Sequence, residues 1–418
     1  MRGHREKAAL SFVARNEREL VAALMACVLL GGVAYTLLLG ETLRYPDERE
    51  YVRIASHLNA GRGYTLDGAT PTAYRPPGYT VLCALGLRCG GGIAGVRILN
   101  LACLLLCVDC VFRLARKHGV PGAGCFAALG VVGYPVFAYT AGTLYPQTLA
   151  ACLLLFTLRF YFGGALDLRR SALCGVLMGM LILTAPAFVF VLLVLLAFTV
   201  LEATPRRAAL VPCAVLLAGA CVIAMPWQIR NQRRFGATFF VSTNGGINLL
   251  LGNSESTTPN AGVNVDVSRY TVTGLGEVER DRHYRRAAMA YVRENPVRAA
   301  GMYALKFLNY FNFRNRLRVA SEQSWPRDVT MLVTYGGLLL LVAARLLLVR
   351  RHPLSRFEGF ALWLYVLNGA FAAVFITRIR LRLPFDWLLV CIAGTAAAHL
   401  LGLRRGGPAP SRSGPGDG

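Results

Sequence analysis

Asp47 and Glu48 stand in the stretch Tyr45-Pro-Asp-Glu-Arg-Glu-Tyr51, directly after an apolar segment. Two carboxylates at the mouth of a membrane protein are a source for a general base. The same positions suit a plainer role, because Pro46 fits the first turn of a helix and acids there meet the positive end of its dipole. Spacing leaves both readings open. Three sets of cations could act with the acids: Arg75 in Tyr74-Arg-Pro-Pro-Gly-Tyr79, the trio Arg230, Arg233 and Arg234, and the trio Arg378, Arg380 and Arg382. A guanidinium fork binds phosphate oxygens in pairs; anionic lipid headgroups are the plainer partner for the same clusters. The Gly/Asn-rich stretch Ser242 to Asn253 predicts tight turns that expose backbone N–H groups. Alternation at 378, 380 and 382 is not helical and predicts an extended segment.

The elements that would position these residues are apolar. The chain has 418 residues, 55% of them hydrophobic, and a mean hydropathy of +0.47. Several apolar runs reach bilayer length, so an all-α polytopic membrane protein is expected. Lys and Arg outnumber Asp and Glu by 45 to 22. That excess sits largely in short loops between apolar runs, as expected for loops on the cytoplasmic side, and so does not call for nucleic acid. Twelve cysteines are scattered without CxxC or zinc-ligand spacing and read as small core residues. No Walker loop, dinucleotide fingerprint or Ser-His-Asp signature is present.

Taken in order, residues 1–18 are expected to be cytoplasmic and Glu19 to Leu39 an uncleaved first span. Residues 19–403 form one transmembrane domain of about ten helices. Outer loops at 40–92 and 228–326 carry the acidic motif and the largest hydrophilic region. A basic tail at 404–418 is expected to be disordered. Within the first outer loop, Tyr51, Ile54, Ala55 and Leu58 recur at helical spacing. They predict a short amphipathic helix over 46–59, ended by Gly61 and Gly63. Pro77 to Leu87 is too short to cross and is placed as an outer half-buried helix. Ser171 to Leu201 divides at a turn near Thr184-Ala-Pro186. Glu277 to Glu294 predicts a surface helix and Ala299 to Phe313 an outer interfacial one. Asp109 and Arg113 can pair at helical spacing. The basic stretches 113–118, 169–170, 206–207 and 350–352 all fall on one side, leaving the acids and the three arginine groups on the other.

The motif Pro46-Asp-Glu-x-x-Tyr51, its continuation to Gly63-Tyr64 and Arg75-Pro-Pro-Gly-Tyr79 resemble the polyprenyl-phosphate-sugar-dependent glycosyltransferases of the GT-C class. The nearest likeness is to bacterial relatives of the protein O-mannosyltransferases and the lipid A aminoarabinose transferases. Pro226-Trp-x-x-Arg-Asn231, Gly245-Gly-x-Asn248-Leu, and the arginines before the last span add to it. The resemblance implies a GT-C-like bundle in a cell inner or plasma membrane, with its site on the extracytoplasmic face. The implied reaction is an inverting transfer of a hexose or pentose from a polyprenyl-phosphate donor to a hydroxyl or phosphate on a lipid, glycan or protein. It implies Asp47 as catalytic acid/base with Glu48 beside it, and Arg75, Arg378 and Arg380 on the donor phosphate. Tyr51, Tyr79, Arg230, Asn231 and Asn248 complete the expected binding set. No cofactor is assigned; a divalent metal on Asp47 and Glu48 is left open. Gln147 stands where relatives often carry Glu, and Ala185 where they often carry Arg or Lys. A transporter of lipid-linked sugars and a non-catalytic subunit of an envelope assembly are the alternatives.

Overall fold

The computed structural model describes residues 15–260, 262, 264–314 and 324–402. The expectations for 1–14 and for the tail at 404–418 therefore lie outside the described residues. Among the described residues every regular element is a helix, apart from one isolated bridge between Thr65 and Pro71.

In order, the described helices are α1 (Glu17–Leu39), α2 (Pro46–Asn59), α3 (Pro77–Gly86) and α4 (Gly92–His118). α5 (Ala123–Val132) and α6 (Val136–Gly142) follow, bent by 59° at the Gly133–Pro135 break. Next come α7 (Gln147–Tyr161), α8 (Leu168–Thr184), α9 (Val189–Glu202) and α10 (Leu210–Phe235). The hydrophilic stretch folds as α11 (Gly245–Gly252), α12 (Glu277–Glu294) and α13 (Pro296–Tyr310). α14 (Trp325–Leu347), α15 (Arg356–Val374) and α16 (Ile379–Leu400) close the bundle.

Among the described residues six helices are long and apolar enough to cross a bilayer, or seven if the bent α5–α6 pair is one span. About ten were expected. The difference lies in short apolar helices such as α7, whose 15 residues reach only about 22 Å at 1.5 Å per residue, against a hydrocarbon core of about 30 Å. Two further expectations change. α10 continues through Phe235, so Arg230 to Arg234 lie on its last turns and not in a loop. α16 starts at Ile379, so of the three late arginines only Arg378, the N-cap, is extended (φ −138°, ψ 152°). The Gly/Asn-rich stretch likewise forms the short helix α11.

α16 is the central helix, buried along most of its length. Its first turns carry a fully buried ion pair, Arg382 to Asp386 at 3.0 Å. Both ends are satisfied, as such a pair requires. Tyr134, at the α5–α6 break, and Tyr365 donate to Asp386 at 3.0 and 3.1 Å, while Arg382 donates to the carbonyls of Tyr310 and Asn312 at 2.8 Å each. α8 and α10 pack closely because small residues meet: a Cβ on Gly175 would stand 2.3 Å from the Leu216 carbonyl, and one on Gly179 2.8 Å from that of Ala220.

The loops sort to two ends. At one end Arg116 pairs with Glu17 and Arg356 with Glu202. There too Lys117 donates to the Gly163 carbonyl, and Arg345 is buried against Glu358 at 2.7 Å. The other end holds the start of α2, residues 64–75, the 142–145 turn and the start of α16.

Candidate active site

α2 runs over Pro46–Asn59, as the apolar spacing predicts. It is held at its first turn by Glu48, whose carboxylate is buried and accepts from three backbone N–H groups: Arg44 at 2.7 Å, Tyr45 at 2.8 Å and Leu144 at 2.8 Å. This capping ties α2 to the 142–145 turn. Arg97, buried on α4, completes the frame by donating to the carbonyls of Gly40, Thr42 and Gly142. Glu48 is thus turned into the protein, about 100° around the helix from Asp47, and the expected second acid is a structural cap.

Asp47 faces the other way and is bridged by two arginines. Arg75 Nη2 donates to Oδ1 at 2.7 Å and Arg380 Nη1 to Oδ2 at 2.8 Å. Burial opposes its charge, but Arg380 and Arg75 outweigh that and hold the carboxyl below its ordinary 3.8. Arg75 is also gripped by Glu50, which accepts from Nε at 2.6 Å. Its guanidinium lies 5.3 Å from the ring centre of Tyr51 and 5.2 Å from that of Tyr74. Arg380 lies 5.2 Å from the ring of Tyr145, and its Nε is buried without a partner among the described residues. Arg378, half-buried, feels both Asp47 and the charge of Arg380. Burial, with that neighbouring cation, lowers its pKa. A Cβ on Gly262 would stand 2.6 Å from its Nη1, so the backbone there lies close against the guanidinium. Arginines crowded in this way favour an anion in their midst.

Arg380 and Arg382 point apart because two helical residues differ by about 200°: one reaches Asp47, the other Asp386. Other expected binding residues stand behind the site. Tyr79 is fully buried, edge-on to Tyr51 at 5.1 Å, and accepts from Asn100 at 3.0 Å. Arg230 donates to the carbonyls of Thr72 and Tyr64 and to buried Asn231, and lies 4.7 Å from the Trp227 ring. These contacts brace the 64–75 segment that delivers Arg75. Asn248 sits half-buried on α11, which packs on α12. Glu277, in the first turn of α12, accepts from Thr72 and Thr243 hydroxyls and the Ala73 N–H at 2.5–2.8 Å.

Sequence reasoning missed Glu50, Tyr74, Tyr145 and Glu277. A signal existed for Glu50, three residues after Asp47 and so on the same helix face. Nothing local marks the others, which come from distant segments. The donor set does not suit a divalent cation: Asp47 is engaged by two guanidiniums and Glu48 by backbone N–H groups, and no group of three or more His, Cys, Asp or Glu is clustered among the described residues.

Fold and site define a multi-pass helical membrane protein with an arginine–carboxylate cluster beside its apolar helices. No protein-family model matches the chain, and no curated protein matches it. Among solved structures it is similar to ArnT from Cupriavidus metallidurans bound to undecaprenyl phosphate: 18% identity over 91% of this chain and 78% of that one, TM-score 0.45. The apo form of ArnT gives 17% identity over 90% and 77%, TM-score 0.44. The archaeal oligosaccharyltransferase AglB from Archaeoglobus fulgidus, in complex with an inhibitory peptide and a dolichol-phosphate, gives 13% over 92% and 51%, TM-score 0.49. Both are GT-C glycosyltransferases. At these identities and TM-scores the likeness transfers no residue roles.

Proposed function

We propose that the protein is a membrane glycosyltransferase that moves a sugar from a polyprenyl-phosphate donor to an acceptor hydroxyl or phosphate at the extracytoplasmic face, with inversion. The observation that carries this reading is the carboxylate of Asp47 held between Arg75 and Arg380 at the end of the molecule away from the basic connections. Arg75, Arg380 and Arg378 bind the donor phosphate and hold its charge as it leaves. With a hydroxyl acceptor, Asp47 takes the proton while the acceptor oxygen bonds to the sugar's anomeric carbon and the bond from that carbon to the phosphate oxygen breaks. The polyprenyl phosphate departs with the electron pair. Glu48 and Arg97 fix where Asp47 stands.

The test is transfer from radiolabelled polyprenyl-phosphate sugars in reconstituted membranes. Asp47→Asn keeps the shape and removes the base, and is expected to lower turnover by roughly 10²–10⁴ with normal insertion. Turnover at the wild-type rate would leave Asp47 a partner for arginines only. One observation favours a transporter: the broken α5–α6 pair, with the Arg382–Asp386 charges behind it, is the kind of element transporters use. Passage of an intact lipid-linked sugar across vesicles, without transfer, would support that reading instead.

A further inference from the structure

The acid pair at this site is Asp47 with Glu50, because Glu48 is turned away. Both carboxylates grip one guanidinium, and they do so at different atoms. Glu50 takes the Nε edge of Arg75 at 2.6 Å, and Asp47 takes Nη2 at 2.7 Å. Tyr51 and Tyr74 flank the guanidinium. Asp47 is also held by Arg380, so both of its oxygens face donors. A carboxylate so engaged accepts a proton poorly. It can serve as a base only when those donors turn to something else, and a phosphate with more charge and more oxygens is such a competitor. For that exchange Arg75 must stay in place while its Nη edge changes partner.

Resting on the glycosyl-transfer reading above, we propose that Glu50 is a positioning residue for the reaction. It anchors Arg75 through Nε, so that the Nη edge can trade Asp47 for the donor phosphate and release Asp47 to the acceptor. Phosphate affinity and base strength are thereby linked through one guanidinium. Without Glu50 that guanidinium keeps only its Nη bond to Asp47 and its ring contacts, and phosphate binding loses its anchor. Asp47 has the opposite effect on binding, because it competes with phosphate for the same edge.

Two quantities separate these roles, both measured on full-length protein in nanodiscs: the Kd for sugar-free undecaprenyl phosphate, and KM and kcat for transfer. Glu50→Gln is expected to raise Kd and KM about tenfold while kcat falls less than threefold. Asp47→Asn is expected to leave Kd unchanged or lower it, with turnover lost. Glu50→Asp, which keeps the charge on a shorter arm, should restore at least half of the lost affinity, and it carries the same contrast if Glu50→Gln does not fold. Unchanged Kd and KM in both Glu50 variants would overturn the proposal. So would a hundredfold fall in kcat with Kd intact, which would make Glu50 the base itself. If the variants fail these expectations while the wild type binds lipid phosphate and transfers sugar, the role of Glu50 alone is refuted. A wild type that neither binds undecaprenyl phosphate nor transfers sugar from any polyprenyl-phosphate donor would refute the glycosyl-transfer reading, and this proposal with it.

Discussion

The Asp47 carboxyl titrates below its ordinary 3.8 because two guanidiniums favour its charged form more than burial opposes it. A carboxyl whose pKa is depressed in the folded protein adds stability above its unfolded value near 3.8, and that stability is lost as pH falls through the lower folded value. The acid limb of kcat/KM, which reports the free enzyme, is therefore expected below pH 3.8 in the wild type. Removing Arg380 takes away one of the two ion pairs. Arg380→Ala should move that limb upward and weaken lipid-phosphate binding by about 1.5–3 kcal/mol, the usual worth of a hydrogen bond to a charged group. Arg380→Lys should recover only part of the affinity, because an ammonium lacks the fork. A pH–rate profile of Arg380→Ala that overlays the wild type would show that Arg380 does not tune Asp47.

At the scale of elements, α12 does more than cover the surface. Its first turn carries Glu277, which ties Thr72, Ala73 and Thr243 together. The Thr243 N–H also donates to the Ala73 carbonyl at 3.1 Å. The segment leading to Arg75 is thus fixed from the second hydrophilic region, some two hundred residues along the chain. Glu277→Ala leaves a buried N–H and two hydroxyls without their acceptor and should cost about 1–3 kcal/mol. Thermal unfolding of the detergent-solubilised protein checks this, and lipid-phosphate Kd should rise in parallel as Arg75 loses its support. An unchanged melting temperature would mean that the 72–75 segment is held by its other contacts, those of Arg230 and Thr243 among them, without need of Glu277.

For the whole molecule, the basic stretches expected on one side meet at one end of the bundle, linked by Arg116–Glu17, Arg356–Glu202 and Arg345–Glu358. Asp47 and its arginines lie at the other. The expected orientation puts the basic end in the cytoplasm. A cysteine introduced by Asp67→Cys should react with an impermeant maleimide on intact cells. One introduced by Arg206→Cys should react only after permeabilisation. Both require a background in which the exposed Cys27, Cys89 and Cys221 are replaced by Ser. The reverse pattern would put the site on the cytoplasmic face.

The sequence alone determined the features that depend on local order. Helical spacing at Tyr51, Ile54 and Ala55 marked α2 over 46–59, and the surface helix predicted over Glu277 to Glu294 is α12. Apolar run length established a polytopic helical bundle, and the i, i+4 spacing gave the Asp109–Arg113 pair, seen at 2.7 Å. These follow from neighbours within a turn or two, where backbone geometry fixes which side chains meet. Which carboxylate faces the site could not be read in this way. Asp47 and Glu48 are adjacent and chemically alike, and only the backbone N–H groups of Arg44, Tyr45 and Leu144 make one of them a cap. Six or seven of the about ten expected spans are full-length apolar helices among the described residues, because composition does not reveal where a helix stops short of bilayer length. Arg380 and Arg382 look equivalent in the chain, yet helix rotation sends one to Asp47 and the other to Asp386. Tertiary structure decides such partners because charge and hydrogen-bond complementarity act between segments hundreds of residues apart, beyond the reach of any local spacing.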